Sequence, residues 1–199
     1  EEQLEQLTVF EAIKSIERAD IALLMLEAPE GVTKQVKKIS SVLENRGCAC
    51  ILLVNKWDLL DRRPNTGDMY RDYLGRELPF LDWAPFLFTS ALTGRRIDDI
   101  LDVVDRVYEN HGRRIPTSTL NDFIEEAVAR HRPPMDNHGR AVKFYYGTQV
   151  GVRPPTFVFF SNYPDAVPDA YKGYLENELR EAFDFEGTPL RLYVRGRGE

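Results

Sequence analysis

The chain has 199 residues, of which 43% are hydrophobic and 29% charged, and its formal net charge at pH 7 is −6. These values are those of an ordinary globular protein with a sizeable core. No apolar run approaches the about 20 residues that a membrane helix needs, so we expect no membrane-spanning helix. The acidic N-terminus EEQLEQLTVF lacks the basic and apolar regions of a signal peptide.

The two cysteines indicate the redox compartment, and the charge distribution limits how the chain can contact nucleic acid. Cys48 and Cys50 alternate within one apolar run and fit no Cys-x-x-Cys or disulfide framework, so we expect buried thiols in a reducing cytoplasm. Residues 1–112 hold 14 Lys and Arg against 20 Asp and Glu, whereas residues 113–199 hold 12 against 12. Any contact with nucleic acid therefore has to be local rather than the effect of a bulk positive field.

The first half of the chain alternates between short apolar runs and amphipathic stretches. Residues 3–18 place Leu7 and Phe10 at helical spacing, and residues 21–26 (IALLML) form a continuous apolar run typical of a covered strand. Thr33 is a candidate N-cap for a helix that ends at Gly47. A second apolar strand, 48–54, follows.

The same alternation continues to the middle of the chain. Residues 61–67 (DRRPNTG) read as a loop and 68–78 as a helix, before a third strand at 85–89 (PFLFT). Residues 97–110 carry a helical apolar stripe with Asp98 and Asp99 in the first turn. This order predicts a parallel sheet with helices on both faces.

The pattern breaks at HGRRIP, 111–116, where we place a domain boundary, giving predicted domains of residues 1–114 and 115–199. A helix over about 118–130, strands at 141–146 and 156–161, a helix to about 183 and a strand at 189–195 are predicted beyond it. In the first of these strands Val142, Phe144 and Tyr146 alternate with Lys143 and Tyr145. The order αββαβ predicts a small α+β domain with a three-stranded sheet.

Two polar signals follow predicted strands of the first domain. Asn55-Lys56-Trp57-Asp58 comes directly after one strand, and Ser90-Ala91-Leu92 comes directly after the next. Because parallel strands place their ligand sites at their carboxyl ends, both signals are expected at one edge of the sheet.

The chemistry of these residues suits a guanine base. The carboxylate of Asp58 can accept both the ring N–H and the exocyclic amine of guanine, a pattern that adenine lacks. Asn55 can brace the loop and reach the N7 edge, and Lys56 can lay its apolar stem over the ring. The backbone N–H of Ala91 can meet the guanine carbonyl oxygen while Ser90 tightens the loop. The alternative is that NKWD is only a polar connection between a strand and a helix.

NKWD followed by SAL resembles the guanine-reading half of P-loop GTPases, and longer stretches resemble one family among them. EAIKSIERAD (11–20), TSTLNDFIEEAV (117–128), GTQVGVRPPTFVFFSN (147–162) and YLENELREAFDFEGTPLRL (174–192) are similar to the Der/EngA family of tandem-domain bacterial GTPases. The resemblance implies an α/β fold, an incomplete P-loop GTPase domain, followed by a KH-like domain. It also implies binding of GTP and GDP, a role in assembly of the large ribosomal subunit, and contacts with ribosomal RNA.

The chain departs from the family pattern at the phosphate site. These 199 residues contain no G-x-x-x-x-G-K-[ST] phosphate loop and no Asp-x-x-Gly before the first helix. The family's first GTPase domain is absent as well, so residues 1–114 correspond to the C-terminal part of the second. Without the phosphate loop the phosphates and Mg²⁺ lack their usual cradle, so we expect the chain alone to be inactive. By the family's sheet order, strand 21–26 pairs with the missing phosphate-loop strand. We therefore expect a fragment of a longer protein, whose N-terminal GTPase domain is a further partner of this part.

The second predicted domain leaves two interpretations open. It has no Gly-x-x-Gly between helices, the loop with which KH domains clamp nucleic acid. Arg191 and Arg195, with Lys143 and Tyr145, form either a basic and aromatic face for RNA or a face that is solvated or packed on another domain. The competing function class is thus a nucleotide-independent module that binds RNA or protein.

The three histidines and the phenylalanines of strand 156–161 are expected to have structural rather than catalytic or binding roles. His111, His131 and His138 lack the spacing of metal ligands, and surface positions in loops are expected for them. Phe157, Phe159 and Phe160 are expected in the core rather than on a stacking surface.

Overall fold

The computed structural model of the chain describes residues 11–61, 65–135 and 139–197. It divides into two compact units. The first holds the chain up to Asn110 together with Glu186–Pro189, and the second holds His111–Phe185 and the chain from Leu190 onward. The first unit is therefore built from two separate stretches of chain, which a single boundary in the sequence cannot express. No described helix is both long and apolar enough to cross a membrane.

The first unit contains three strands and three long helices after a helical segment over residues 11–16. The predicted positions Leu7 and Phe10 lie outside the described residues. The elements are β1 (Ile21–Glu27), α1 (Lys34–Arg46), β2 (Ala49–Asn55), α2 (Thr66–Glu77), β3 (Phe86–Phe88) and α3 (Asp99–Gly112). Short 3-10 turns cover Trp57–Leu59 and Pro79–Leu81.

Local chemistry sets the bounds of α1 as the sequence predicts. Thr33 is the N-cap, and its hydroxyl oxygen accepts a hydrogen bond from the Val36 amide at 3.3 Å. Gly47 ends the helix in the left-handed region at φ 75°, where a residue without a Cβ is favoured. The predicted loop before α2 is shorter than expected, because α2 begins at Thr66.

The sheet is parallel, in the order β1-β2-β3, and helices cover both of its faces. Along β2 successive side chains point to opposite faces. Cys50, Leu52 and Val54 pack with Cys48 and with α1 and α2, whereas the alternate side chains pack against α3. All β2 residues from Ala49 to Val54 are buried, as a strand covered on both faces requires.

Strand β1 lies at an edge of this sheet within the described residues, where it pairs with β2 only. Its Leu24 and Leu26 belong to the core on the side of α1 and α2. The alternate residues Leu23 and Met25 point to the other face and are 47% and 56% exposed. One edge of the α/β unit therefore presents uncovered apolar side chains.

The 186–189 segment lies beside the amino end of β2 and is hydrogen-bonded to it. The Gly187 carbonyl accepts a hydrogen bond from the Cys50 amide at 2.9 Å, and the Gly187 amide donates to the Trp83 carbonyl at 2.8 Å. Asn110 donates from Nδ2 to the Glu186 carbonyl at 3.1 Å, and Arg106 forms an ion pair with Glu186. Backbone and side-chain bonds together thus make this segment part of the α/β unit.

The second unit has the predicted order of one helix, two strands, one helix and a last strand. Its elements are α4 (Thr117–Arg130), β4 (Phe144–Gly151), β5 (Thr156–Ser161), α5 (Asp169–Phe183) and β6 (Arg191–Gly196), with a 3-10 turn at Pro164–Ala166. The sheet order is β4-β5-β6, with β5 antiparallel to β4 and parallel to β6.

Helices α4 and α5 pack on one face of this sheet. Phe157 and Phe159 of β5 are fully buried there, together with Leu120, Leu175 and Leu179. Phe160 does not join this core, because it points to the other face and is half-buried, so the predicted core position for it is wrong.

The alternation predicted for residues 141–146 also fails, because of a β-bulge. The register between β4 and β5 shifts between Phe144 and Tyr146. Phe144 therefore packs edge-on against Phe159 in the core, whereas Tyr146 stacks on Phe160 on the opposite face with ring centroids 4.5 Å apart. Strict alternation of side chains does not account for the extra residue that the bulge adds to β4.

Candidate nucleotide-base site

The two polar signals of the sequence lie side by side at the carboxyl ends of β2 and β3. The Thr89 amide donates to the Val54 carbonyl at 2.9 Å, and the Trp57 amide donates to the Thr89 carbonyl at 3.0 Å. These two bonds continue the ladder beyond the strands, so that the turn after β2 and the turn after β3 are held as one surface.

Asn55 links the two turns directly. Its Oδ1 accepts a hydrogen bond from the Ala91 amide at 3.1 Å. Asn55 is half-buried and stands opposite Glu27 in the β1–β2 register. The side chain thus fixes the Ala91 amide next to the position where the polypeptide leaves β2.

Lys56 adopts the left-handed conformation, with φ 57° and ψ 32°. This conformation is uncommon outside glycine and turns the chain sharply away from the sheet. The Lys56 ammonium lies 2.6 Å from Glu27 Oε1, with both side chains about half exposed. The carboxylate therefore holds the ammonium end of Lys56 towards β1.

The side chain of Trp57 anchors the turn that carries Asp58. It is 4% exposed, stacks on Phe88 with centroids 3.8 Å apart and an interplanar angle of 19°, and meets Tyr70 edge-on at 5.4 Å. Asp58 follows in the 3-10 turn and is half-buried. Because the Trp57 side chain is fixed by burial, the carboxylate of the adjacent Asp58 has few positions available to it.

The turn after β3 is closed by Ser90. Its side chain is fully buried, its Oγ accepts from the Thr93 amide at 3.2 Å, and its own amide donates to the Arg95 carbonyl at 3.2 Å. Ala91 is exposed, and Leu92 is 86% exposed. The structure therefore places Asn55, Lys56 and Asp58 beside Ser90 and Ala91, with Leu92 at the rim.

Two contributors were missed from the sequence. Glu27 follows the apolar residues of β1 as Asn55 follows those of β2, and the parallel register sets the two residues side by side. The same rule about strand ends would have identified it. The stacking of Trp57 on Phe88 carries no short-range sequence signal, because the two residues come from different strand ends.

No cluster of metal-binding side chains occurs in the described ranges of the chain. One of the three histidines differs from expectation. His111 lies within α3 and is 2% exposed, so its predicted loop position at the surface is wrong. His131 is exposed and stacks beside Tyr171 and Tyr174, and His138 lies outside the described residues.

Two family models match consecutive parts of the chain. The elongation factor Tu GTP binding domain matches residues 9–110, and the KH-domain-like C-terminal domain of EngA bacterial GTPase enzymes matches residues 114–195. The model for the GTP binding domain alone covers more than half of the 199 residues.

Curated relatives extend over almost the whole chain. A protein named GTPase Der from Moorella thermoacetica is 50% identical over 194 residues, and one from Geobacter metallireducens is 45% identical over 196. These alignments cover 97% and 98% of this chain but 44% of each relative. The chain thus spans less than half the length of the curated relatives it matches.

Among solved structures, the chain matches that of Era in complex with MgGDPNP and nucleotides 1506–1542 of 16S ribosomal RNA. It is 18% identical, with a TM-score of 0.42, over 93% of this chain and 68% of Era.

Proposed function

The chain belongs to the Der/EngA family of GTPases, and on that premise we propose that it carries the guanine-recognition half of a GTP-binding domain. The observation that supports this proposal is the joined surface at the ends of β2 and β3. There the Asn55 side chain holds the Ala91 amide at 3.1 Å and the Trp57 amide bonds Thr89. A polar connection without a ligand does not require two hydrogen bonds that join the two turns.

Each residue of this surface has a distinct proposed role. The half-buried Asp58 carboxylate accepts the two guanine donors, a charge-assisted pair that selects guanine. The Lys56 stem covers the base while Glu27 holds its ammonium 2.6 Å away. The Ala91 amide donates to the guanine carbonyl oxygen, which replaces the Asn55 oxygen as its acceptor and leaves the Asn55 amide near the N7 edge.

The donor set fits the base but not the rest of the nucleotide. Phosphate binding in this class of enzyme uses backbone amides of a Gly-rich loop, a lysine and a hydroxyl that holds Mg²⁺. These 199 residues contain no such loop. We therefore propose that phosphate and Mg²⁺ binding, and the hydrolysis of GTP, require parts of the full-length protein outside this chain. The uncovered Leu23 and Met25 of β1 are the surface against which such a part packs.

The proposed role of the full-length protein is a cytoplasmic GTPase of ribosome biogenesis, acting on the large ribosomal subunit through contacts with its RNA. The family membership supports this role. The two buried cysteines agree with a reducing compartment, because both are free thiols.

A nucleotide titration tests the proposal. We expect fluorescent GDP to bind tightly to a longer protein that includes the phosphate loop and not to the 199-residue chain. In the longer protein, Asp58→Asn should weaken GDP binding by about 10²- to 10⁴-fold, since two hydrogen bonds to a charged group are lost. The same variant should gain affinity for xanthine nucleotides, whose ring presents a carbonyl where guanine has an amine.

Asp61→Asn is the matched control, because this exposed carboxylate lies in the same connection and has no role in the proposed site. Unchanged base selectivity in Asp58→Asn would refute the assignment of that carboxylate. If neither the chain nor the longer protein binds GDP, the function is that of a nucleotide-independent interaction module.

A further inference from the structure

A cavity of the first unit, which we call the β1–α2 cavity, lies between the turn that follows β1 and the helix α2. Among the described residues, the segment 28–31 forms one wall, and Thr66, Met69, Tyr70 and Tyr73 form the other. These four helix positions are three or four residues apart, so they share one face of α2. The cavity has a volume of about 510 Å³, a size that suits a small ligand or a short peptide segment.

The two tyrosine rings of the β1–α2 cavity are held in place by their hydroxyl groups. The Tyr70 hydroxyl donates a hydrogen bond to the Ala28 carbonyl at 3.2 Å, and the Tyr73 hydroxyl oxygen accepts one from the Val32 amide at 2.9 Å. The two rings meet edge to face with centroids 5.3 Å apart. Gly31 permits this arrangement, because a Cβ at that position would stand 2.6 Å from the Tyr73 hydroxyl oxygen. The aromatic wall is therefore preformed.

Apolar side chains of the lining remain open to solvent. Met69 is 70% exposed, Pro29 on the opposite wall is exposed, and the rings of Tyr70 and Tyr73 are half-buried. Single exposed apolar residues are common on protein surfaces, but these four line the same concave site. Such a grouping is typical of a binding surface.

The polar groups of the lining are one donor and one carboxylate. The Tyr73 oxygen accepts from Val32, but its own proton has no acceptor in the described part of the chain. Glu30 is exposed and forms no ion pair with a described residue. No described Lys or Arg lines the cavity, and residues 1–112 hold 14 Lys and Arg against 20 Asp and Glu. The β1–α2 cavity thus suits a cationic ligand and disfavours a nucleic acid.

We propose that the β1–α2 cavity docks a proline-rich peptide segment of a partner protein, with a lysine or arginine beside the prolines. A polyproline II segment presents carbonyl oxygens but has no N–H at proline. It therefore accepts the Tyr73 proton without bringing an unsatisfied N–H into apolar surroundings, as an ordinary peptide would. Proline rings pack on the tyrosine rings, in the manner of other aromatic-lined grooves for such segments. The neighbouring cation pairs with Glu30.

The site can be tested without disturbing the proposed base site. Tyr70 meets the Trp57 ring edge-on, so a change at Tyr70 would affect both sites. Met69, Tyr73 and Glu30 have no part in base recognition, and they are the positions to change.

The test measures fluorescence anisotropy of a labelled peptide, Arg-Pro-Pro-Leu-Pro-Pro, with the full-length protein at low salt and without nucleotide. Two comparison peptides replace every proline by alanine, or the arginine by glutamate. We expect the proline peptide to bind at least about 5-fold more tightly than the alanine peptide, because its backbone is already extended and lacks unsatisfied donors. The glutamate peptide should bind at least about 2-fold more weakly, and added salt should reduce that difference.

Three single variants probe the three features of the lining. Met69→Gln should weaken binding of the arginine peptide by about 5-fold or more, since an apolar contact is lost. Tyr73→Phe should weaken it about 2- to 13-fold, the net contribution of one hydrogen bond. Glu30→Gln should remove the preference for the arginine peptide over the glutamate peptide.

Matched controls lie in the second unit. Met135→Gln removes a thioether of similar exposure, 68%, and Tyr145→Phe and Glu126→Gln remove an exposed hydroxyl and an exposed carboxylate. Circular dichroism confirms folding of each variant, and Met69→Gln keeps the test decisive if Tyr73→Phe is unstable.

Four results would overturn the proposal. These are no binding of the arginine peptide, equal binding of the proline and alanine peptides, equal losses in the site and control variants, and a dimer that Met69→Gln dissociates. The last would mean that a second copy of the chain covers the cavity. GDP titration of the same variants tests the base site separately, because none of the changed residues belongs to it.

Discussion

Replacing Gly187 by alanine should destabilise the first unit strongly. Gly187 lies at φ +81°, and a Cβ built on it would stand 2.8 Å from Val107 Cγ1 and closer still to Cγ2. Val107 is a residue of α3 and is fully buried, so it has no free space into which to move. The backbone of Gly187 cannot shift without loss of its bonds to Cys50 and Trp83.

The expected cost has two parts. A left-handed conformation costs a residue with a Cβ about 1–2 kcal/mol. Forcing a methyl group into a packed contact costs about 1–3 kcal/mol more. The free energy of unfolding should therefore fall by about 2–5 kcal/mol, a large share of the about 5–15 kcal/mol that stabilises a typical domain.

Urea unfolding followed by tryptophan fluorescence measures this loss in the first unit alone. Both tryptophans of the chain, Trp57 and Trp83, are buried there. Gly94→Ala is the control for conformation only, since Gly94 has φ +74° and no atom within 4 Å of the added Cβ. It should cost about 1–2 kcal/mol. Gly173→Ala lies inside α5 of the second unit with open space around it, and should stabilise that helix by about 0.5–1 kcal/mol in unfolding followed by circular dichroism.

A double variant isolates the contact with Val107. If the clash is real, Gly187→Ala combined with Val107→Ala should be more stable than the sum of the single losses by about 1–3 kcal/mol. A Gly187→Ala protein that unfolds within 0.5 kcal/mol of Gly94→Ala would refute the close packing of the 186–189 segment.

Three further predictions follow from buried polar groups. Gln149→Leu should cost about 2–4 kcal/mol in urea unfolding, because it leaves the buried Ile115 amide, 2.7 Å from Gln149 Oε1, without an acceptor; a neutral effect would contradict this. Burial raises the pKa of Tyr171 from 10 to about 12, so its stabilisation is present below pH 10 and lost as pH rises to 12. Tyr171→Phe should flatten that decline in thermal midpoint, which an unchanged slope would disprove. Burial likewise raises the pKa of the Cys48 thiol to about 11 and that of Cys50 further, so both should react with a thiol reagent only in urea.

The α/β half of the fold was predictable because each element carries a local signal. The run 48–54 is wholly apolar, Thr33 caps α1 and Gly47 ends it, and all three readings agree with the structure. The rule that ligand sites follow parallel strands also brought Asn55 and Ala91 together correctly, 36 positions apart in sequence. Their role in binding a base stays a prediction.

The failures share a different cause. Tyr146 was placed on one face with Val142 and Phe144 because hydrophobicity alone does not reveal the β-bulge in β4. Phe160 was assigned to the core with Phe159 because both are aromatic, although consecutive residues of a strand point to opposite faces. His111 was assigned to the surface because a polar residue beside a predicted boundary looks exposed, although it continues α3 into a buried position. Gly187 lies beside β2 because of a contact between distant parts of the chain, and local sequence patterns do not predict such contacts.

The two-part construction of the first unit has a consequence for biosynthesis. At about 5–20 residues per second, roughly 4–15 seconds separate the synthesis of Asn110 from that of Glu186. Throughout that interval the nascent α/β unit lacks the partner for its Cys50 amide and its Trp83 carbonyl. Translation speed over the second unit therefore sets how long an incomplete first unit is exposed to chaperones and proteases. Synonymous codons in that stretch become a determinant of yield.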